Sequence, residues 1–231
     1  IWADGELLEV TGEGYQPEGE VRTDGRRAEL RDSSARLLLQ AAMLASDAHL
    51  ELAENGSEGK RWRMVGDPTE GALVVAAAKA DLHRPTVESH YPRVAEVPFD
   101  SDRKLMSTVH RMPAATAITK KEAVFVGVDT PYVAFVKGAP DQLLDRCTHL
   151  IVHGAIQPLN AAMRSSILEA NSRLASGALR VLGVAGRGMD AVPASPDPAN
   201  VERDLVFIGL VGMMDPARPE AAAAVATAHH A

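Results

Sequence analysis

The chain has 231 residues, 46% of them hydrophobic, enough to bury a core as one large domain or two small ones. Its formal charge of −7, with lysines and arginines scattered rather than clustered, excludes a general polyanion binder, whose affinity rests on neutralising many phosphates. A single cysteine, Cys147, excludes an internal disulfide, and no apolar run approaches the ~18–20 residues of a membrane-crossing helix. No signal-peptide pattern opens the chain, so a soluble cytosolic domain is expected. Aromatic residues make up only 4%, so Ala, Val and Leu must fill the core and any exposed ring calls for an explanation.

In chain order, Ile1 to Val21 alternates short β-like runs with Gly-rich turns. Leu37, Leu38, Ala41, Leu44 and Ala45 recur at helical spacing, which predicts an amphipathic helix over Asp32 to Ser46. Leu50–Leu52 and Trp62–Val65 flank ENGSEGK and read as a hairpin. Asp67-Pro68-Thr69-Glu70 is a helix start: Asp67 as N-cap, Pro68 at the first helical position, Glu70 three after the cap and able to reach back to its amide. That helix runs on through GALVVAAAKA. Val94 to Met112 and Glu122 to Lys137 read as paired strands around an exposed loop, PAATAITKK.

Pro140 to Cys147 reads as a short helix and Leu150–His153 as a strand. Asn160 to Ala175 is expected to be a helix closed by Gly177 as a left-handed cap. Leu179–Ala185 and Asp204–Val211 look like buried strands joined by a surface loop, PASPDPANVERD. Pro216 and Pro219 then stiffen a connector into an Ala-rich helical tail. Many strands, hairpin connections and few long helices indicate an α+β fold, an antiparallel β-sheet flanked by helices.

Four blocks stand out in order: GDPTEGAL (Gly66–Leu73), PFDSDRKLM (Pro98–Met106), FVKGAPDQLLDRC (Phe135–Cys147) and GLVGMMDPARPE (Gly209–Glu220). Together they resemble the nucleotide-binding (N) domain of a type II P-type ATPase, of the calcium-type and related bacterial branch. The DKTGT motif of the phosphorylated aspartate is absent from the sequence, and so is the His-Pro pair of the heavy-metal branch. The resemblance implies the N-domain fold and a cytoplasmic domain of a bacterial plasma-membrane cation pump. Residues 1–215 would form the N domain, and 216–231 the hinge and the start of the phosphorylation domain. The ligand implied is ATP, as Mg-ATP with the magnesium held mainly outside this chain. The implied partners are the phosphorylation and actuator domains of the same pump, with no nucleic acid and no membrane contact by this segment. Catalysis would come from positioning the γ-phosphate for an aspartate supplied elsewhere, so this chain alone is expected to be inactive.

The same resemblance implies the site residues. Phe99 would stack on the adenine, although a lone phenylalanine at a strand end usually points into the core. Glu70 would meet the adenine edge and accept a hydrogen bond from the exocyclic amine. Lys137, Gly138 and Ala139 would meet the purine where a strand gives way to a helix, glycine letting a flat ring come close to the backbone. Lys104 and Arg103 supply positive charge, with Asp102 expected to orient one of them. Arg180 matches an arginine that contacts nucleotide phosphates. Ser101 stands where sarcoplasmic calcium pumps carry a further basic residue, one phosphate contact fewer.

Two other readings remain open. A phosphatase of the haloacid dehalogenase class needs a DxDxT-like aspartate, and none is present. A non-catalytic interaction module would keep the fold without the pocket. GVAGRG (Gly183–Gly188) has the wrong glycine order for a dinucleotide loop and no helix after it. His149 and His153 straddle a strand-like LIV and share no face, and GxxxxGK[ST] is absent.

Overall fold

The computed structural model describes residues 1–31, 33–54, 60–113, 130–214 and 227. The PAATAITKK loop beyond Pro113, residues 122–129 of the expected strand, and the connector and tail from 215 onward lie outside the described residues, apart from Thr227. The chain begins with a tight hairpin, β1 (Trp2–Ala3) and β2 (Glu6–Leu7). Asp4 and Gly5 between them both have positive φ, as a two-residue hairpin turn with right-handed strand twist requires. After β3 (Glu9–Val10), strands β4 (Val21–Thr23) and β5 (Arg26–Arg27) repeat the device with Asp24-Gly25. Strands β3, β4 and β5 form a small sheet of their own.

The expected first helix is α1 (Ser34–Leu44), capped by the Ser33 hydroxyl, which accepts from the Arg36 amide. Strands β6 (His49–Glu54) and β7 (Lys60–Val65) pair as the hairpin read from the sequence. Helix α2 (Pro68–Lys79) starts as predicted: the Asp67 carboxylate accepts from the amides of Thr69 and Glu70. Helix α3 (Arg84–His90) went unread in the sequence.

The main sheet is built from β8 (Arg93–Asp100), β9 (Leu105–Arg111), β10 (Tyr132–Gly138), β11 (Cys147–Val152), β12 (Ala155–Pro158), β13 (Arg180–Met189) and β14 (Leu205–Met213). Its order is β12-β11-β14-β13-β10-β9-β8, with β1 also pairing β14 and β2 pairing β1. The sheet is antiparallel as expected, except that β11 and β14 run parallel. Helix α4 (Pro140–Leu144) follows β10, and α5 (Ala161–Ser176) lies between β12 and β13.

Both faces of the sheet are covered, and the strands alternate between two cores. On one side Phe135, Val184 and Ile208 pack with Leu38, Leu39, Met43 and Leu73 of α1 and α2. On the other, Val136, Ala185 and Phe207 pack with Leu143, Leu144, Ile167 and Leu174 of α4 and α5. Cys147 is buried in this second core, where loss of solvation pushes its thiol up to about 12. Among the described residues no helix is long and apolar enough to cross a membrane.

Two expectations need correction. Helix α5 does not end in a left-handed glycine: Gly177 has φ −81, and Ala178 takes the left-handed turn instead. The loop between β13 and β14 contains a short helix, α6 (Pro198–Val201). Asp197 and Asn200 form its capping box, each side chain accepting from the other's backbone amide. Its end buries Val201 and Glu202.

Candidate functional site

The expected site residues come from four segments that converge at one end of the main sheet. Lys137 and Gly138 close β10, where they pair with Met106 and Leu105 of β9 and with Val184 and Gly183 of β13. The junction that follows is tight. A Cβ on Gly138 would run into the Lys104 carbonyl and the Leu105 side chain, and the glycine has φ +156. The Lys104 carbonyl accepts from the Ala139 amide at 3.1 Å, and Lys104 itself is left-handed, with φ 55. Glycine at 138 therefore lets the β8–β9 turn lie against the β10–α4 junction. One close approach at this glycine is made by protein backbone.

Glu70, in the first turn of α2, does not reach back to its own cap. Its Oε1 takes the Lys137 ammonium at 2.8 Å, and its Oε2 accepts from the amides of Asp47 and Ala48 at 2.7 and 3.1 Å. The segment after α1 is fixed from its other side too. Arg93 donates to the carbonyls of Leu44 and Ser46 and pairs with Asp47, and Arg84 donates to the carbonyls of Ser46 and Ala48. The amides and carbonyls of one short connector thus hold a carboxylate and two guanidinium groups. Lys137 is 6% exposed, and burial lowers its pKa, opposed by the Glu70 charge.

Next to Glu70, the Thr69 hydroxyl accepts from the Arg180 guanidinium at 2.7 Å, so the exposed start of β13 joins the same cluster. A continuous chain of contacts runs Arg180–Thr69, Glu70–Lys137, Gly138–Ala139 and Lys104.

Phe99 lies in the irregular stretch of β8 between Val97 and Asp100, where register with β9 shifts. Its side of the hairpin is open: Phe99 is 63% exposed, whereas Phe135 and Phe207 are buried at 0% and 1%. Asp100 shapes the turn by accepting from the amides of Asp102 and Arg103, which lowers its pKa. Lys104 is exposed. Arg103 departs from expectation. Its guanidinium turns inward to the buried carboxylate of Glu202 and the Pro98 carbonyl, and Asp102 is not its partner.

Glu202 was missed in the sequence. Its side chain is fully buried, and it takes Arg103, the Ser107 hydroxyl at 2.6 Å and, at 3.7 Å, Arg146. Its only advance signal was an Asp-Pro helix start five residues earlier. A separate cleft of about 220 Å³, lined by Asp4, Leu8, Leu30, Ser33 and His153, contains none of the expected site residues.

The family described as P-type ATPase, cytoplasmic domain N, matches residues 34–220. The chain belongs to this family. It is 40% identical over 185 residues, 80% of its length, to Calcium-transporting ATPase 1 of Bacillus cereus, covering 18% of that protein. It is 34% identical over its whole length to Cation-transporting ATPase pma1 of Synechocystis, covering 24% of that protein. To Probable cation-transporting ATPase F of Mycobacterium tuberculosis it is 35% identical over its whole length, again covering only 23%. The chain thus spans about a fifth to a quarter of these relatives. This P-type ATPase N domain has the fold its sequence implied, a large antiparallel sheet with helices on both faces.

Proposed function

We propose that this N domain holds ATP at the sheet end described above, for a cation pump in which the γ-phosphoryl group passes to an aspartate carboxylate elsewhere and ADP leaves. The observation that carries the reading is Phe99. In a chain with four phenylalanines, this ring is left in solvent at the end of β8, five residues before Lys104 of the wired junction with Ala139. An exposed ring contributes little to folding and is useful for stacking a base.

In this reading the adenine lies on Phe99 and meets Glu70, Lys137, Gly138 and Ala139. Glu70 accepts from the exocyclic amine with the lone pair that Lys137 leaves free on Oε1, since the two amides occupy Oε2. Guanine presents a carbonyl there, which the carboxylate repels. Lys104 and Arg180, both exposed cations, take the phosphates. Magnesium travels on those phosphates and is held mainly outside this chain. The domain boundary falls near residue 215, with 216–231 leading to the phosphorylation domain, and actuator and phosphorylation domains as partners within the pump. The names of the relatives, calcium- and cation-transporting ATPases, support the pump assignment.

Titrating ATP while following amide chemical shifts tests this. The expected dissociation constant is on the order of 0.1–1 mM, with shifts clustered at residues 66–73, 98–106 and 135–141. Shifts elsewhere, or none, favour the interaction-module reading. No phosphate should be taken up from ATP, since the acceptor aspartate is absent from this chain.

A further inference from the structure

Arg103 sits in the turn that carries Phe99 and Lys104, yet it faces inward. Its guanidinium, 12% exposed, bridges the Glu202 carboxylate and the carbonyl of Pro98, the residue just before the exposed ring. Glu202 also accepts from Ser107 of β9, and faces Arg146, whose carbonyl accepts from the Leu205 amide at the start of β14. Arg146 belongs to the segment that leaves Gly138–Ala139 through α4. One carboxylate therefore ties together the two walls of the proposed site, the β8–β9 turn and the β10–α4 segment. It is 0% exposed, and its Oε2 has no hydrogen-bond partner among the described residues. A buried carboxylate held chiefly by ion pairs depends on its cations, and they on it.

We propose that Glu202 is a positioning residue of the nucleotide site: through Arg103 it sets the β8–β9 turn and so fixes the Phe99 ring for the base. This rests on the nucleotide reading above. Arg103 is then part of the scaffold rather than a phosphate ligand, and its charge is spent against Glu202. The capping box of α6 has a purpose in this arrangement, since it starts the short helix whose C-cap is Glu202.

The test uses AMP and ATP titrations together with fluorine NMR of fluorophenylalanine-labelled protein, the Phe99 resonance being assigned with Phe99→Leu. In Glu202→Gln both dissociation constants should rise by the same factor, about tenfold, because ring placement is lost and phosphate contacts are not. The Phe99 resonance should shift or broaden before any nucleotide is added. Arg103→Lys keeps the charge but cannot bridge Glu202 and Pro98, so it should behave alike. It serves as the second variant if Glu202→Gln does not fold. Unchanged affinities and an unchanged Phe99 resonance would overturn the proposal. A loss that grows from AMP to ATP would overturn it as well, by making Arg103 a phosphate ligand. Failure of the unaltered protein to bind either nucleotide would sink the ATP reading instead, and the Phe99 resonance alone would then decide whether Glu202 sets the turn.

Discussion

Glu70 and Glu202 are both carboxylates folded against a cation, and their surroundings differ in kind. Glu70 is 14% exposed, with an oxygen on Lys137 and the other on two backbone amides. Glu202 is 0% exposed, with one oxygen crowded by Arg103 and Ser107 and the other left to a distant Arg146. Fixed backbone dipoles stabilise the first charge, and they cost no side-chain entropy to hold. The second relies on two long cationic side chains that have to be kept in place. A carboxylate at the rim with amide support is suited to meeting a ligand. One sealed inside is suited to holding walls together.

The comparison is broken most directly at Glu202. Glu202→Ala strands two guanidinium groups around a void, and denaturant unfolding should show a loss of about 3–5 kcal/mol. The double variant Glu202→Leu with Arg103→Met should recover much of that, because removing both partners costs less than removing one.

Acid should act at a buried histidine. His110 is buried with its ring nitrogens on the Tyr91 carbonyl and the Thr108 hydroxyl, and burial lowers its pKa to about 4. The unfolded imidazole binds a proton near 6.5, so its contribution is complete above that pH and is lost as pH falls toward 4. The loss over this window is about 3 kcal/mol. Unfolding curves at stepped pH should show it, and His110→Gln should flatten the profile between those limits.

At the rim, Lys137→Met leaves Glu70 with its two amides and should cost about 1–3 kcal/mol. Glu70→Ala frees those amides at similar cost, and in paired titrations it should also narrow the preference for ATP over GTP. A lowered melting temperature with an unchanged ATP/GTP ratio would mean that Glu70 serves only the connector after α1.

Phe99→Ala should have the smallest effect on folding, within about 0.5 kcal/mol. It should nevertheless weaken ATP binding by roughly 1–3 kcal/mol. A clear drop in melting temperature with intact binding would place the ring's value in the fold.

What the sequence disclosed follows the range of the interactions involved. Asp67-Pro68 announced α2 because capping is a matter of three adjacent residues. The same Asp-Pro pair at Asp197-Pro198 opened α6 and was passed over inside a stretch rich in turn formers. Arg84-Pro85 carried a similar hint for α3, with proline in the first turn. Glu70 was legible as a residue of interest, but its partners Asp47 and Ala48 lie across a hairpin, and no local pattern points to them. Arg103 and Glu202 are 99 residues apart and meet only because β9 and the end of α6 pack together. Charged residues in DSDRK look alike as letters, and only the fold separates inward Arg103 from outward Lys104.

The buried thiol of Cys147 has a practical consequence. It is the chain's one cysteine, it donates to the Leu143 carbonyl, and its thiolate is out of reach at ordinary pH. Thiol-reactive dyes and spin labels should therefore pass it by. Cysteines introduced at exposed positions such as Ser101 and Asp141 could then carry a pair of probes without removal of the native one, and the distance between the two walls of the site could be read while nucleotide is added.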